Sequence, residues 1–219
     1  MRHRPLCILL ATCLLPLGLS AQYSIGVQGG PLFFQGAWEA KQELSNTSGW
    51  MAGIQVVEGR TGKSGFRVGL DIGQRAYTLR AMNDDNQREE FNSTSSMLWL
   101  SFEMRWSLSR KHRIFFELGP VIGMEVHEKR SGVRFYEGED YFGMAWRTDP
   151  IPATETESGF AIRDGHWRIG VSAEVPLAGR WLFTSGAHIC PGVGSWARGH
   201  GYATIDATLR AGFLYRLRS

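Results

Sequence analysis

Cysteine is scarce in this chain of 219 residues, and two of its three cysteines, Cys7 and Cys13, lie in an apolar leader. Removal of that leader leaves Cys190 alone, which excludes an internal disulfide framework and a thiolate metal site. An excess of one charge is also lacking. The 24 basic and 21 acidic residues give a net charge of +3, and the basic ones are scattered over turns and strands. A nucleic-acid partner calls for a clustered basic footprint, so none is expected. Beyond the leader, no stretch stays apolar for the roughly 20 residues that a membrane helix needs. Heptads, helical moments and tandem repeats are missing too, so nothing competes with a β-rich reading.

The leader carries its own information. Arg2 and Arg4 precede an apolar run from Leu6 to Leu19, and Ser20 and Ala21 supply small residues ahead of Gln22. That is the pattern of a secretory signal peptide over residues 1–21, too short and wrongly flanked for a spanning helix. Residues 22–219 are then the exported domain. A lipoprotein signal at Cys13 fits worse, because Thr12 precedes it and the apolar run ahead is short.

What is present in abundance is alternation. Over residues 202–217, Ala203, Ile205, Ala207, Leu209, Ala211, Phe213, Tyr215 and Leu217 share one parity, while Thr204, Asp206, Thr208, Arg210, Gly212 and Arg216 hold the other. A period of two is that of a strand with two differently solvated faces. Seven further segments read the same way, at about 23–34, 50–58, 65–79, 97–108, 113–126, 167–175 and 181–193. In the third, the parity slips over 75–79, which predicts a bulge or an extension past the main sheet. Long connections are expected at 35–49, 80–96, 127–166 and 194–201, and short ones at 59–64, 109–112 and 177–180. The short ones carry turn residues, as in Gly59-Arg60-Thr61-Gly62 and Ala178-Gly179. Strict long–short alternation puts every long loop at one end of a closed sheet and both termini at the other.

Three features choose which face points inward. Gly26, Gly30, Gly53, Gly69, Gly73, Gly119, Gly123, Gly170, Gly186 and Gly212 all fall on the polar parity. Glycine gains nothing on a solvent face, whereas the crowded interior of a narrow barrel needs small residues. Aromatics on the apolar parity gather near strand ends: Phe66, Trp106, Phe116, Trp181 and Tyr215 at the short-turn end, Phe33, Trp50 and Trp167 at the other. Two such girdles suit the two headgroup levels of a bilayer. The polar face carries Asp71, Glu103, Glu117, Glu125, Glu174 and Asp206 against Arg67, Arg75, Arg105, Arg168 and Arg210. Enclosed in a lumen these charges must pair, since an unpaired buried charge costs several kcal/mol. A hairpin centred on Lys111 puts Arg105 directly across from Glu117. The reading is an all-β chain forming an eight-stranded antiparallel up-and-down transmembrane β-barrel.

The signal peptide, strand count, loop alternation and terminal aromatic strand with Phe213 and Tyr215 together resemble the eight-stranded outer-membrane β-barrel family of Gram-negative bacteria. That family includes the PorT-like barrels and the transmembrane domain of outer-membrane protein A. The resemblance implies a location in the cell outer membrane and contact with its bilayer and lipopolysaccharide. It also implies a monomer with a structural or interaction role: envelope integrity, surface contacts or a place in a secretion complex. The family's last strand commonly ends on an aromatic residue read by the assembly machinery; here the chain ends Leu217-Arg218-Ser219, with Tyr215 the nearest candidate. A possible protein partner is expected at 127–166, where Arg130, Arg134 and Arg147 mix with Glu128, Glu137, Glu139 and Asp140.

No catalytic, cofactor-binding or metal-ligating residue is assigned, and no cofactor is expected. A soluble lipocalin-like carrier of a small apolar ligand is the first alternative, with Gly36-Ala37-Trp38 as its only motif. A lipid A-modifying enzyme is the second. His166, His188 and His200 lie in the long-loop half beside Ser172, Ser185 and Ser195, but no spacing joins them into a triad. His188 reads as a lumen hydrogen-bond partner opposite Arg168. Asn83-Asp84-Asp85-Asn86 has calcium-ligand residue types without the spacing of a calcium loop, and the sequons at Asn46 and Asn92 read as polar loops.

Overall fold

A computed structural model describes residues 22–37, 42–58, 64–82, 87–194 and 202–217. The leader at 1–21, the turn at 59–62, the acidic tip at 83–86, Trp38, Ser195 and His200 lie outside the described residues. The elements are β1 (Tyr23–Ala37), β2 (Gln42–Glu58), β3 (Gly65–Met82), β4 (Gln87–Ser109) and β5 (Ile114–Glu139). A three-residue β6 (Ala145–Arg147) is followed by β7 (Ile151–Pro176), β8 (Trp181–Gly194) and β9 (Tyr202–Arg216). Eight of them, all but β6, form an antiparallel ring in chain order, each paired with the next. The seam is β1 on β9, from Ser24 opposite Arg216 to Ala37 opposite Ala203. Closure leaves no unpaired edge around the ring, the one arrangement of strands that hydrocarbon tolerates. The chain is an eight-stranded up-and-down transmembrane β-barrel.

Outward residues form an apolar band around the ring. On β9 they are Ile205, Leu209 and Phe213; on β4 Leu100, Phe102, Met104 and Trp106; on β7 Trp167, Val171 and Val175. Towards the long-loop side, Ile72 on β3, Ile122 on β5 and Ile162 on β7 are still exposed apolar positions. Above them the strands continue. An arginine at the middle of this band loses its hydration shell to lipid. Leu209→Arg is therefore expected to destabilise the protein by about 2–4 kcal/mol, read as a lower urea midpoint after refolding into liposomes.

The expected loops at 35–49, 80–96 and 127–166 need correcting, because most of their length is strand. β2 begins at Gln42, β3 runs to Met82, β4 begins at Gln87, and β5 and β7 form one hairpin out to Glu139 and back from Ile151. The physical reason is solvent. Past the lipid band the outer face of these strands is wetted and the inner face is partly apolar, so the alternation that marks a lipid-facing strand disappears while the ladder persists. Cross-strand groups hold it: Thr78 Oγ1 donates to Asn92 at 2.9 Å, and Arg134 Nε to Glu89 at 2.7 Å. Buried Phe91 and Phe135 lie under the guanidiniums of Arg134, at 5.3 Å, and Arg147, at 3.4 Å.

β3 itself has no bulge at 75–79, and of the two expected accounts the extension is the one present, since the strand runs on to Met82. Arg75 and Leu79 are buried on the same parity as Arg67 and Asp71. The bulge sits instead on the neighbouring strand, between Ser45 and Ser48 of β2. Tyr77 and Leu79 break the polar pattern because the interior above the lipid level is partly apolar.

Candidate functional site

The lumen is layered. At the short-turn end Val57, Leu182 and Leu214 form a small apolar plug. Higher up, Leu32, Met51, Met97, Trp99 and Val121 form a second. Sequence reasoning missed both, because these side chains sit on the polar parity and only closure of the ring brings them together.

Charge fills the space between and around these layers. Five buried carboxylates, Asp71, Glu103, Glu117, Glu174 and Asp206, meet five buried guanidiniums, Arg67, Arg75, Arg105, Arg168 and Arg210. Arg105 stands directly across from Glu117, and its Nε donates to Oε1 at 2.8 Å. Glu117, with no exposed surface, also accepts from Arg67 Nη1 at 2.9 Å, Ser172 Oγ at 2.6 Å and His188 Nε2 at 2.8 Å. Arg105 reaches on to Glu174 at 2.8 Å and covers the ring of Phe115 at 4.0 Å. Glu103 is bonded by Arg168 and flanked by Arg210 at 3.8 Å and Arg67 at 3.9 Å. Asp71 accepts from Gln28 at 2.8 Å and lies 3.5 Å from Arg210. Asp206 pairs with Arg75, whose guanidinium stacks on Trp99 at 5.4 Å. Of the charges assigned to the lumen, Glu125 stands apart. It is half-buried above the lipid band and accepts from Ser95 at 3.2 Å.

Little room remains beside these charges among the described residues. The void beside Gln28, Arg67, His188 and Arg210 is too narrow for a water molecule. The one beside Trp99, His166, Arg168 and Cys190 has about 10 Å³, at the threshold of about 10–15 Å³ for one water.

His188 stands opposite Gly170, not Arg168 as the sequence suggested. The β7–β8 turn closes between Leu177 and Trp181, with Gly179 at a φ of 64°, which shifts the register by two residues. Ser172, Glu117 and His188 do converge, but in the wrong order for a nucleophilic triad. The hydroxyl and the imidazole both donate to the carboxylate, whereas a base must stand between nucleophile and acid. Glu103, Glu117 and His188 also place ligand atoms within 4.8 Å of one another, yet guanidiniums already occupy the same carboxylates. That donor set suits an ion-pair network rather than a divalent cation.

Aromatic side chains pair on the outer face. At the short-turn end Trp106 packs on Phe116 with centroids 5.9 Å apart, Trp181 on Tyr215 at 5.1 Å, and Phe66 on Phe102 at 5.8 Å. Phe33, Trp50 and Trp167 are exposed towards the other end.

Above the band, Glu128 anchors the protruding sheet. It is buried and accepts from Tyr77 Oη at 2.6 Å, Ser93 Oγ at 2.7 Å and Arg130 Nη2 at 2.9 Å. Burial alone would raise its pKa, but the Arg130 charge and the bonds from Tyr77 and Ser93 outweigh that and hold it below the ordinary 4.5. Burial first, then the Glu128 charge and the bond to it, push the Tyr77 phenol up to about 12. Glu128 therefore stabilises the sheet fully above pH 4.5, and that contribution is lost as pH falls through its depressed folded value. Tyr77 contributes fully below pH 10 and loses its contribution as pH climbs towards 12. Amide exchange over residues 127–134, corrected for intrinsic rate, should show full protection between those limits and loss on both sides.

A scan against known protein families finds no match, and a search of characterised proteins finds none. Among solved structures, the chain is similar to the outer membrane protein OprG of Pseudomonas aeruginosa at 8% identity. The match covers 90% of this chain and 96% of that one with a TM-score of 0.43. It is also similar to Ail, the attachment invasion locus protein of Yersinia pestis, solved with the heparin analogue sucrose octasulfate. There the identity is 10%, the coverage 90% and 99%, and the TM-score 0.36. For the outer membrane protease OmpT of Escherichia coli the values are 11%, 92% and 99%, and 0.30. At such scores none of the three bears on what this chain does.

Proposed function

We propose that this chain is an integral outer-membrane protein with a structural or contact role. In this reading the barrel is an anchor whose lumen is sealed by its own side chains, and the β5–β7 hairpin is its contact surface outside the cell. The observation that carries the reading is the inverted distribution of polarity. Five ion-paired carboxylates and five arginines are buried inside, while a continuous apolar band faces out. A soluble carrier for an apolar ligand needs the reverse. The packed lumen argues against a diffusion channel, and the order of Ser172, Glu117 and His188 argues against a hydrolase. The aromatic pairs at the short-turn end suit the inner headgroup level.

Folded outer-membrane barrels resist detergent unfolding until heated. The membrane fraction should therefore give a band that shifts on boiling, and the purified protein should show no steady ion conductance in a planar bilayer. Recovery as a soluble periplasmic protein with no heat shift would promote the carrier alternative. Lipid A that differs in mass between cells with the native protein and cells with His188→Ala would promote the enzyme alternative.

A further inference from the structure

The far end of the β5–β7 hairpin holds an unusual group of exposed side chains. Tyr141 is 97% exposed, Phe142 85% and Met144 67%, the Tyr141 and Phe142 rings meet edge-on at 5.6 Å, and half-exposed Trp146 covers Gly138 on β5. Contiguous exposed apolar surface on an ordered element marks a contact site more often than chance exposure does. This turn is ordered. Asp140 Oδ1 accepts from the backbone N–H groups of Phe142 at 2.9 Å and Met144 at 2.8 Å. Asp140 N donates to the Met144 carbonyl at 2.9 Å, Gly143 N to the Asp140 carbonyl at 2.9 Å, and Gly143 takes a φ of 74°. The backbone is thus largely satisfied before anything docks, which lowers the cost of desolvating the tip.

Its charge narrows the partner. Residues 136–150 carry four carboxylates, Glu137, Glu139, Asp140 and Asp149, and one cation, Arg147, whose guanidinium lies over Phe135 at 3.4 Å, while Arg88 reaches Glu137 from β4 at 4.0 Å. The excess of carboxylates that remains with Arg88 included disfavours polyanions and anionic membranes. Aromatic faces rimmed with carboxylates are instead the chemistry that recognises a quaternary ammonium. Tyrosine and tryptophan also suit the headgroup layer of a bilayer. Position adds a third constraint. From Glu125 to Glu139 the strand spans about 48 Å at roughly 3.4 Å per residue, so the tip stands clear of the barrel's own lipid band. We propose that this turn docks on an apposed membrane surface rich in phosphocholine headgroups. The inference rests on the reading above that the hairpin is the outward contact surface.

Full-length protein in nanodiscs of phosphatidylethanolamine and phosphatidylglycerol would be mixed with vesicles of pure phosphatidylcholine, phosphatidylethanolamine or phosphatidylglycerol and floated on a density gradient. Co-flotation is expected with phosphatidylcholine, with at least roughly tenfold weaker capture by the other two, and free phosphocholine should compete. The double substitution Tyr141→Ser, Phe142→Ser should lower capture by roughly tenfold or more, with the boiling-dependent gel shift unchanged. Equal capture by all three vesicles, capture that survives the double substitution, or a heat-shifting barrel that captures no vesicle overturns the inference and leaves the barrel reading intact. A protein with no heat shift overturns the barrel reading and the inference with it.

Discussion

Glu117→Leu is expected to destabilise the folded barrel by about 3–5 kcal/mol, the usual result of removing one partner from a buried ion pair. Four donors converge on that carboxylate: Arg67, Arg105, Ser172 and His188. All four are buried, so the substitution takes a carboxylate partner from two guanidiniums in a space with no room for a replacement water. Pairing it with Arg105→Leu should cost less than the sum of the two single changes, because each single change leaves the other's charge short of one partner. Glu174, 2.8 Å from Arg105, then loses its own partner, so the double variant should remain below the native protein. Urea midpoints in liposomes measure all three. A change below about 0.5 kcal/mol for Glu117→Leu, the ordinary size for a surface site, would mean that water reaches the network and that the lumen is an open channel.

The second large effect comes from glycine. A Cβ added at Gly119 would collide with the carbonyl oxygen of Phe102 and sit 2.6 Å from the Glu103 Cα. The same conflict recurs at Gly26 against Phe213 and at Gly30 against Leu209, both across the seam. In each case the obstacle is backbone of the neighbouring strand, which cannot swing away as a side chain would. Gly119→Val therefore opposes the close approach of β4 and β5 beside the most heavily bonded carboxylate. Refolding in detergent should yield no heat-modifiable band. Gly143→Ala, at an exposed turn with nothing within 4 Å of its added Cβ, should fold with only the modest strain of its positive φ. A folded Gly119→Val barrel would show that the ring is wider than described.

These two residues also show what sequence makes legible. The parity of Gly119 and Glu117 is readable because lipid imposes apolar side chains on every alternate position, and the glycines mark where the interior is narrow. The Arg105–Glu117 register follows from a short turn of known centre. The β7–β8 register does not, since it depends on which residues the turn hydrogen bonds select, and His188 faces Gly170 as a result. The hairpin beyond Met124 is invisible for a different reason. Water on its outer face removes the alternation, and its ladder is held by pairs such as Arg134–Glu89 that resemble loop charges in one dimension. The apolar plugs at Leu214 and at Trp99 belong to no periodic pattern, because each is assembled from strands distant in sequence.

The central claim is that lipid touches the apolar parity and only that parity. Methyl and aromatic cross-peaks to detergent acyl-chain protons, recorded by NMR on the native protein in micelles, test it without any substitution. Ile25, Ile54, Leu70, Leu100, Leu209 and Phe213 should all show them, while Val57, Val121, Leu182 and Leu214 should show none. Acyl contacts to Leu182 and Leu214 with silence from Leu209 and Phe213 would contradict the account, because the chain would then be a carrier holding its ligand inside.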